Sequence, residues 1–93
     1  MSNRITQKDL ESLVKIVNKT TGHAPEPYTQ KDGKFTANIG TYLLDYAYGG
    51  VKLVQLVSDG GGITTISSGG YGTKRELYNW LRAFLAGLES SKH

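Results

Sequence analysis

The chain has no cysteine. A disulfide framework and a thiolate metal site are therefore both excluded. With the other markers, this favours a reducing, cytoplasmic setting. Histidine is nearly absent too, with only His23 and His93. A lone histidine needs partners to act as base or ligand. His93 is terminal, and His23 lies beside Pro25 with no carboxylate pair near it in sequence, so it reads as a loop residue. No strand-to-helix serine elbow is present, because Ser67-Ser68 runs into glycines instead. Nor is there a long apolar run or an apolar leader segment, so no membrane span and no signal peptide are expected. Asn18-Lys19-Thr20 matches a glycosylation pattern, which carries no weight in a chain without export signals.

Charge of either sign is also scarce. Eleven basic residues against eight acidic ones leave +3, and the cations are dispersed. Only Lys74 and Arg75 are adjacent. A nucleic-acid-binding domain usually shows a stronger, clustered excess. Asp45, Asp59 and Glu76 have no spacing that forces them together. They read as a strand charge facing Lys52, a turn residue and a capping residue. The sequence thus predicts no enzyme, no cofactor and no metal.

What is abundant is glycine, 12 residues, and tyrosine, six. Both concentrate between Tyr28 and Tyr78. At 93 residues the chain is one domain, with residues 1–4 and 90–93 expected to fray. Its margin of stability is thin, since a chain this short buries only about 60–65% of its unfolded surface.

A helix is expected after Thr6, whose hydroxyl and Asp9 have the spacing of a capping box. Ile5 and Leu10 have that of a hydrophobic staple. Leu10, Leu13, Val14 and Val17 form one apolar face, and Gly22 suits the left-handed position after the helix. Asp32-Gly33 is a two-residue hairpin signal joining strands near Tyr28–Lys31 and Lys34–Asn38. A second hairpin pairs Thr41–Tyr48 with Val51–Val57 about a Gly49-Gly50 turn, setting Tyr46 opposite Leu53 and Tyr42 opposite Val57. One face then shows Tyr42, Leu44, Tyr46, Tyr48, Val51, Leu53 and Val57, and the other shows Leu43, Asp45, Ala47, Lys52, Val54 and Leu56. Asp59-Gly60-Gly61-Gly62 turns into a short polar edge strand, Ile63–Ser67. Thr73 and Glu76 cap a last helix with Leu77, Leu81, Phe84 and Leu88 in one stripe. The predicted fold is α+β, a two-layer sandwich: an antiparallel meander with an N-terminal and a C-terminal helix on one face.

Two candidate sites follow. Gly69-Gly70-Tyr71-Gly72-Thr73-Lys74-Arg75 places a glycine-rich loop before a helix N-terminus. Gly70 and Gly72 would let backbone N–H groups approach a phosphate, while Thr73, Lys74 and Arg75 supply a hydroxyl and two charges. The alternative is a plain loop ahead of a capped helix. Tyr42, Tyr46 and Tyr48 form the second candidate, as an interface or core cluster or as a base-stacking platform. The apolar groups on both sheet faces also predict a two-fold homodimer through the face left uncovered.

Two resemblances add to this. Tyr48-Gly49-Gly50-Val51, Asp59-Gly60-Gly61-Gly62, Thr73-Lys74-Arg75-Glu76-Leu77-Tyr78 and Arg82-Ala83-Phe84-Leu85-Ala86-Gly87 resemble small accessory or early proteins of tailed bacteriophages. Ile5-Thr6-Gln7-Lys8-Asp9-Leu10 and Pro25-Glu26-Pro27-Tyr28 extend the likeness over nearly the whole chain. It implies a life in the cytoplasm of an infected bacterium and no more, and assigns no site residue; a host or phage protein is the partner expected from the lack of catalytic groups and the surplus aromatic surface. More loosely, a helix, a sheet and a helix opened by Thr73, Lys74 and Arg75 is similar to the double-stranded-RNA-binding domain, which would make Lys74 and Arg75 phosphate contacts. Tyr78 stands where that family has a further lysine, and a hairpin is added between the helices. The leading functional expectation is a non-enzymatic protein that binds a host protein, a defence or replication component being the kind envisaged. The alternative is nucleic-acid or nucleotide binding through the glycine-rich loop.

Overall fold

The computed structural model describes residues 4–67 and 70–90. The first helix, α1 (Gln7–Thr21), starts where its cap dictates. The Asp9 amide donates to Thr6 Oγ1 at 3.2 Å, and the Thr6 amide donates to Asp9 Oδ2 at 2.9 Å. It stops at Gly22, which has φ 78° and returns its N–H to the last turn. A hairpin follows, β1 (Tyr28–Lys31) and β2 (Lys34–Ala37). Asp32 and Gly33 both have positive φ, 52° and 77°, as a type I′ turn requires. The main sheet is antiparallel, in the order β3 (Tyr42–Ala47), β4 (Gly50–Leu56), β5 (Ile63–Thr65). The last helix, α2 (Lys74–Ser90), includes Ser90, which was expected to fray. The fold is α+β, with two helices and two small antiparallel sheets.

Both helices cover the same sheet face. Leu10, Val14 and Val17 of α1 and Leu77, Leu81 and Leu85 of α2 form one buried cluster with Val51 and Leu53 of β4. Tyr42 and Leu44 of β3 pack against it, and Phe84 stacks on Trp80 with centroids 4.9 Å apart.

The β3–β4 register differs from the expected one. Tyr46 faces Val51, Leu44 faces Leu53 and Tyr42 faces Gln55, because the turn falls on Tyr48-Gly49 rather than Gly49-Gly50. The paired strand residues keep their faces, since a slip of two preserves side-chain alternation, but Tyr48 leaves its expected face for the turn, where it meets Tyr71. Gly50 explains the displacement. A Cβ there would stand 2.9 Å from the Gly72 carbonyl oxygen and 3.1 Å from Tyr71. Gly50 thus serves a close backbone crossing, and the turn moves back by one residue.

This gives a paired prediction. Gly50→Ala should destabilise the fold by about 1–3 kcal/mol, as overpacking does. Gly87→Ala, in α2 with open space around its Cβ, should stabilise it by about 0.5–1 kcal/mol. Urea titrations of both variants check the opposite signs.

The sheet face away from the helices is not the bare apolar surface the sequence suggested. Val54 and Leu56 are buried within the single chain, and Leu43 is half-buried. A dimer over that face therefore has less apolar surface to hide. Ile63, directly opposite Leu56, is an open apolar group on that face, and the most open large apolar side chains of the described residues are Tyr48 and Phe35.

Candidate functional site

A cleft of about 910 Å³ lies at the end of the sheet where both helices begin. Arg4, Ile5 and Gln7 form one wall at the start of α1. Gly72, Thr73, Lys74 and Arg75 form another at the start of α2, and Tyr46, Gly50 and Val51 contribute from the β3–β4 hairpin. Among the described residues three cations line it, Arg4, Lys74 and Arg75, and no carboxylate does.

The structure thus brings together Thr73, Lys74, Arg75, Gly72 and Tyr46 of the two predicted sites. Gly70 lies instead beside a smaller hollow with Ser67, Glu76 and Trp80. Ser68 and Gly69 lie outside the described residues. The expected cradle of backbone donors is not formed at Gly72 and Thr73. The Gly72 amide donates to the Val51 carbonyl at 3.1 Å, and its own carbonyl accepts from Val51 at 2.9 Å. The Thr73 amide donates to Glu76 Oε1 at 3.0 Å, and Thr73 Oγ1 accepts from the Glu76 amide at 3.1 Å. These bonds hold the Glu76 carboxyl below its ordinary pKa, the backbone contact with Thr73 contributing most. What the cleft offers an anion is its side chains.

The tyrosines do not form one platform. Tyr42 packs inward, edge-on to Phe84 at 6.0 Å and to His23 at 5.7 Å. Tyr46 is partly open at the cleft, its phenol raised above its ordinary pKa by partial burial and then by Glu11. Tyr48 lies in the turn, 93% exposed, with φ 53°. A bulky side chain in that left-handed region is a true outlier.

His23 is a packing residue, as expected. Its Nδ1 is 2.7 Å from Thr21 Oγ1, and its ring closes on Gly40, whose φ is 99°. A Cβ on Gly40 would come within 2.5 Å of that ring.

Asp45 faces Lys52 as the sequence suggested, the two being direct cross-strand partners on the sheet face away from the helices. What sequence reasoning missed is that Tyr71 joins them. Its hydroxyl donates to Asp45 Oδ2 at 2.5 Å, while Lys52 Nζ sits 4.4 Å from its ring centroid. The bond to Asp45 holds the Tyr71 phenol above its ordinary pKa. Tyr48 meets Tyr71 edge-on at 5.5 Å, so the cluster braces the turn beside the cleft. The only sequence signal was the parity of Asp45 and Lys52, and nothing local pointed to Tyr71. Neither Asp45, Asp59 nor Glu76 lines the cleft. Among the described residues no group of three His, Cys, Asp or Glu is placed to hold a metal ion. No helix among them is long and apolar enough to cross a membrane.

Comparison with family models, with curated proteins and with solved structures finds no match to this chain. Both resemblances therefore rest on the residues quoted for them.

Proposed function

We propose that this is a non-enzymatic phage accessory protein that binds a host protein, through the cleft and the Tyr48 turn beside it. The observation that carries the reading is Tyr48. Residues in the left-handed conformation cost roughly 1–2 kcal/mol unless they are glycine or a short polar residue. Asparagine or aspartate would suit this turn better. Tyr48 is 93% exposed, and its edge-on contact with Tyr71, at about 0.5–1.5 kcal/mol, does no more than offset that cost, so the fold gains nothing net from a tyrosine here. Outliers of this kind collect at functional sites. Exposed tyrosine and arginine are also the side chains that dominate protein–protein hot spots. The cationic cleft adjoining Tyr48 favours an acidic patch on the partner.

Tyr48→Asn is therefore expected to change the stability by less than about 0.5 kcal/mol, the relieved strain offsetting the lost Tyr71 contact, while weakening partner capture. The test is capture from bacterial lysate with the wild type, Tyr48→Asn, Lys74→Glu and, as a control off the cleft, Lys8→Glu. A protein retained by the wild type and Lys8→Glu but released by the other two supports the reading. Equal capture by all four, or no capture by any, overturns it.

A second reading keeps the same cleft for a nucleotide or a nucleic-acid backbone. The three cations favour it, but the occupied amides of Gly72 and Thr73 remove much of its mechanism. Fluorescence anisotropy with nucleotides and short DNA and RNA decides it. Lys74→Ala and Arg75→Ala must weaken binding, and the affinity must fall with salt.

A further inference from the structure

The β1–β2 hairpin touches the rest of the fold sparingly, through its root and through the Tyr28 hydroxyl, which lies against Gly61. Seven of its eight strand residues are exposed, and Ala37 is half-buried. It pairs with neither edge of the main sheet. The chain's radius of gyration, 13.9 Å, exceeds the roughly 12 Å expected for a compact domain of this length, in keeping with a projecting arm. An isolated two-stranded hairpin is marginal in water, and this one is tied at its root. The Asn38 amide donates to the Pro27 carbonyl at 2.8 Å, and Asn38 Nδ2 donates to the Glu26 carbonyl and to Thr29 Oγ1, each at 2.8 Å.

The two faces of the ribbon differ in chemistry. Lys31 lies directly opposite Lys34, and Thr29 opposite Thr36. Like charges directly opposite are destabilising. Among the described residues neither ammonium has a hydrogen-bonding or ion-pair partner. The other face carries Gln30 opposite Phe35, and Phe35 is 71% exposed. The fold explains neither the repelling pair nor the open phenyl ring.

We propose that the β1–β2 ribbon is an arm that enters the major groove of duplex DNA, with Lys31 and Lys34 toward phosphates and the Gln30–Phe35 face toward base edges. The major groove of B-form DNA is wide enough for a two-stranded β-ribbon. With the Gln30–Phe35 face on the base edges, the opposite face turns out of the groove, and the long Lys31 and Lys34 stems reach back past the strand edges toward the flanking phosphates. Self-pairing through a ribbon edge would gather four lysines on one continuous face and increase the repulsion. The arm is separate from the cleft: its root lies at the Tyr42 end of β3, whereas the cleft lies at the Ala47 end.

Asp32, in the turn between the two lysines, opposes the binding and provides a variant that spares the fold. Asp32→Asn keeps a residue tolerant of positive φ and removes the negative charge. The experiment is fluorescence anisotropy of a labelled 20-base-pair DNA duplex, titrated with the full chain at several salt concentrations, with an RNA duplex of the same length in parallel. Binding to DNA should weaken with salt. Lys31→Ala with Lys34→Ala should cut the log–log salt slope by about 1.8, at ~0.9 for each phosphate contact, and should lower affinity at least about tenfold. Asp32→Asn should bind more tightly. Phe35→Ala should weaken binding with an unchanged slope, and Lys74→Ala at the cleft should change it less than about twofold, being beyond the Debye length of about 10 Å. The deep, narrow major groove of RNA should exclude the arm. No binding at low salt overturns the proposal. So does equal affinity for the RNA duplex, or loss of binding with Lys74→Ala but not with the lysine pair. The last outcome would return nucleic-acid binding to the cleft.

Discussion

Leu81→Ala is expected to bring the protein close to unfolding. Leu81 is fully buried, in the cluster where α2 meets α1 and β4. Removing most of a buried leucine side chain costs about 2–5 kcal/mol, because the transfer term is lost and the cavity collapses only in part. The total stability of such a chain is about 5–14 kcal/mol, at ~0.05–0.15 kcal/mol per residue. The melting temperature should therefore fall by about 10 °C or more. Ile16→Ala is the comparison. Ile16 is 45% exposed and should cost under about 1 kcal/mol, as surface changes do. Thermal unfolding followed by circular dichroism separates the two. If Leu81→Ala melts no lower than Ile16→Ala, the buried cluster is not where the stability resides.

Asn18 should prove nearly as sensitive, for a different reason. It is 1% exposed, and its amide stands in for a missing strand at the outer edge of β3. Nδ2 donates to the Tyr42 carbonyl at 3.0 Å, and Oδ1 accepts from the Tyr42 amide at 2.8 Å. Asn18→Leu fills the space but orphans two backbone groups, at about 1–3 kcal/mol for each one left unsatisfied. A loss of about 2–4 kcal/mol is expected, measured by urea denaturation. Asn18→Asp gives a sharper signature. It keeps an acceptor for the amide but turns a second oxygen toward the carbonyl. Burial and that carbonyl both favour the protonated acid, so its folded pKa is raised. The contribution of a raised carboxyl is present below its unfolded value, about 3.9, and is lost as the pH rises through the folded value. Relative to wild type at the same pH, Asn18→Asp should be least destabilised near pH 4 and progressively worse above it. A flat difference across that range would remove the amide pairing from the account. The same contacts show why the Asn18-Lys19-Thr20 pattern is idle: the amide it would modify is enclosed.

The local signals were legible because each is decided within a few residues. Thr6 with Asp9, Thr73 with Glu76, Gly22, and Asp32-Gly33 all behave as their chemistry requires. The two sheet faces were legible as well, because alternation survives a slip of two. The turn position was not, since it depends on Gly72 and Tyr71 crossing beside Gly50, more than twenty positions downstream. Asn18 was opaque for the same reason, as its partner Tyr42 is 24 residues away. The cleft was half legible. Thr73, Lys74 and Arg75 announced one wall, whereas Arg4 and Gln7 joined them only because both helices start at the same end of the sheet. The covering of Val54 and Leu56 was not readable, since alternation names a face but not what packs on it.

That shared starting end has a practical consequence for handling the protein. α2 runs 17 residues from the cleft, about 25 Å at 1.5 Å per residue, so Ser90 emerges far from it. Arg4 forms part of the cleft wall itself. An affinity tag fused ahead of Arg4 would hang over the opening, whereas one fused beyond Ser90 would leave it clear. Capture with the two fusions should then differ in yield from the same lysate, with the C-terminal fusion retaining more.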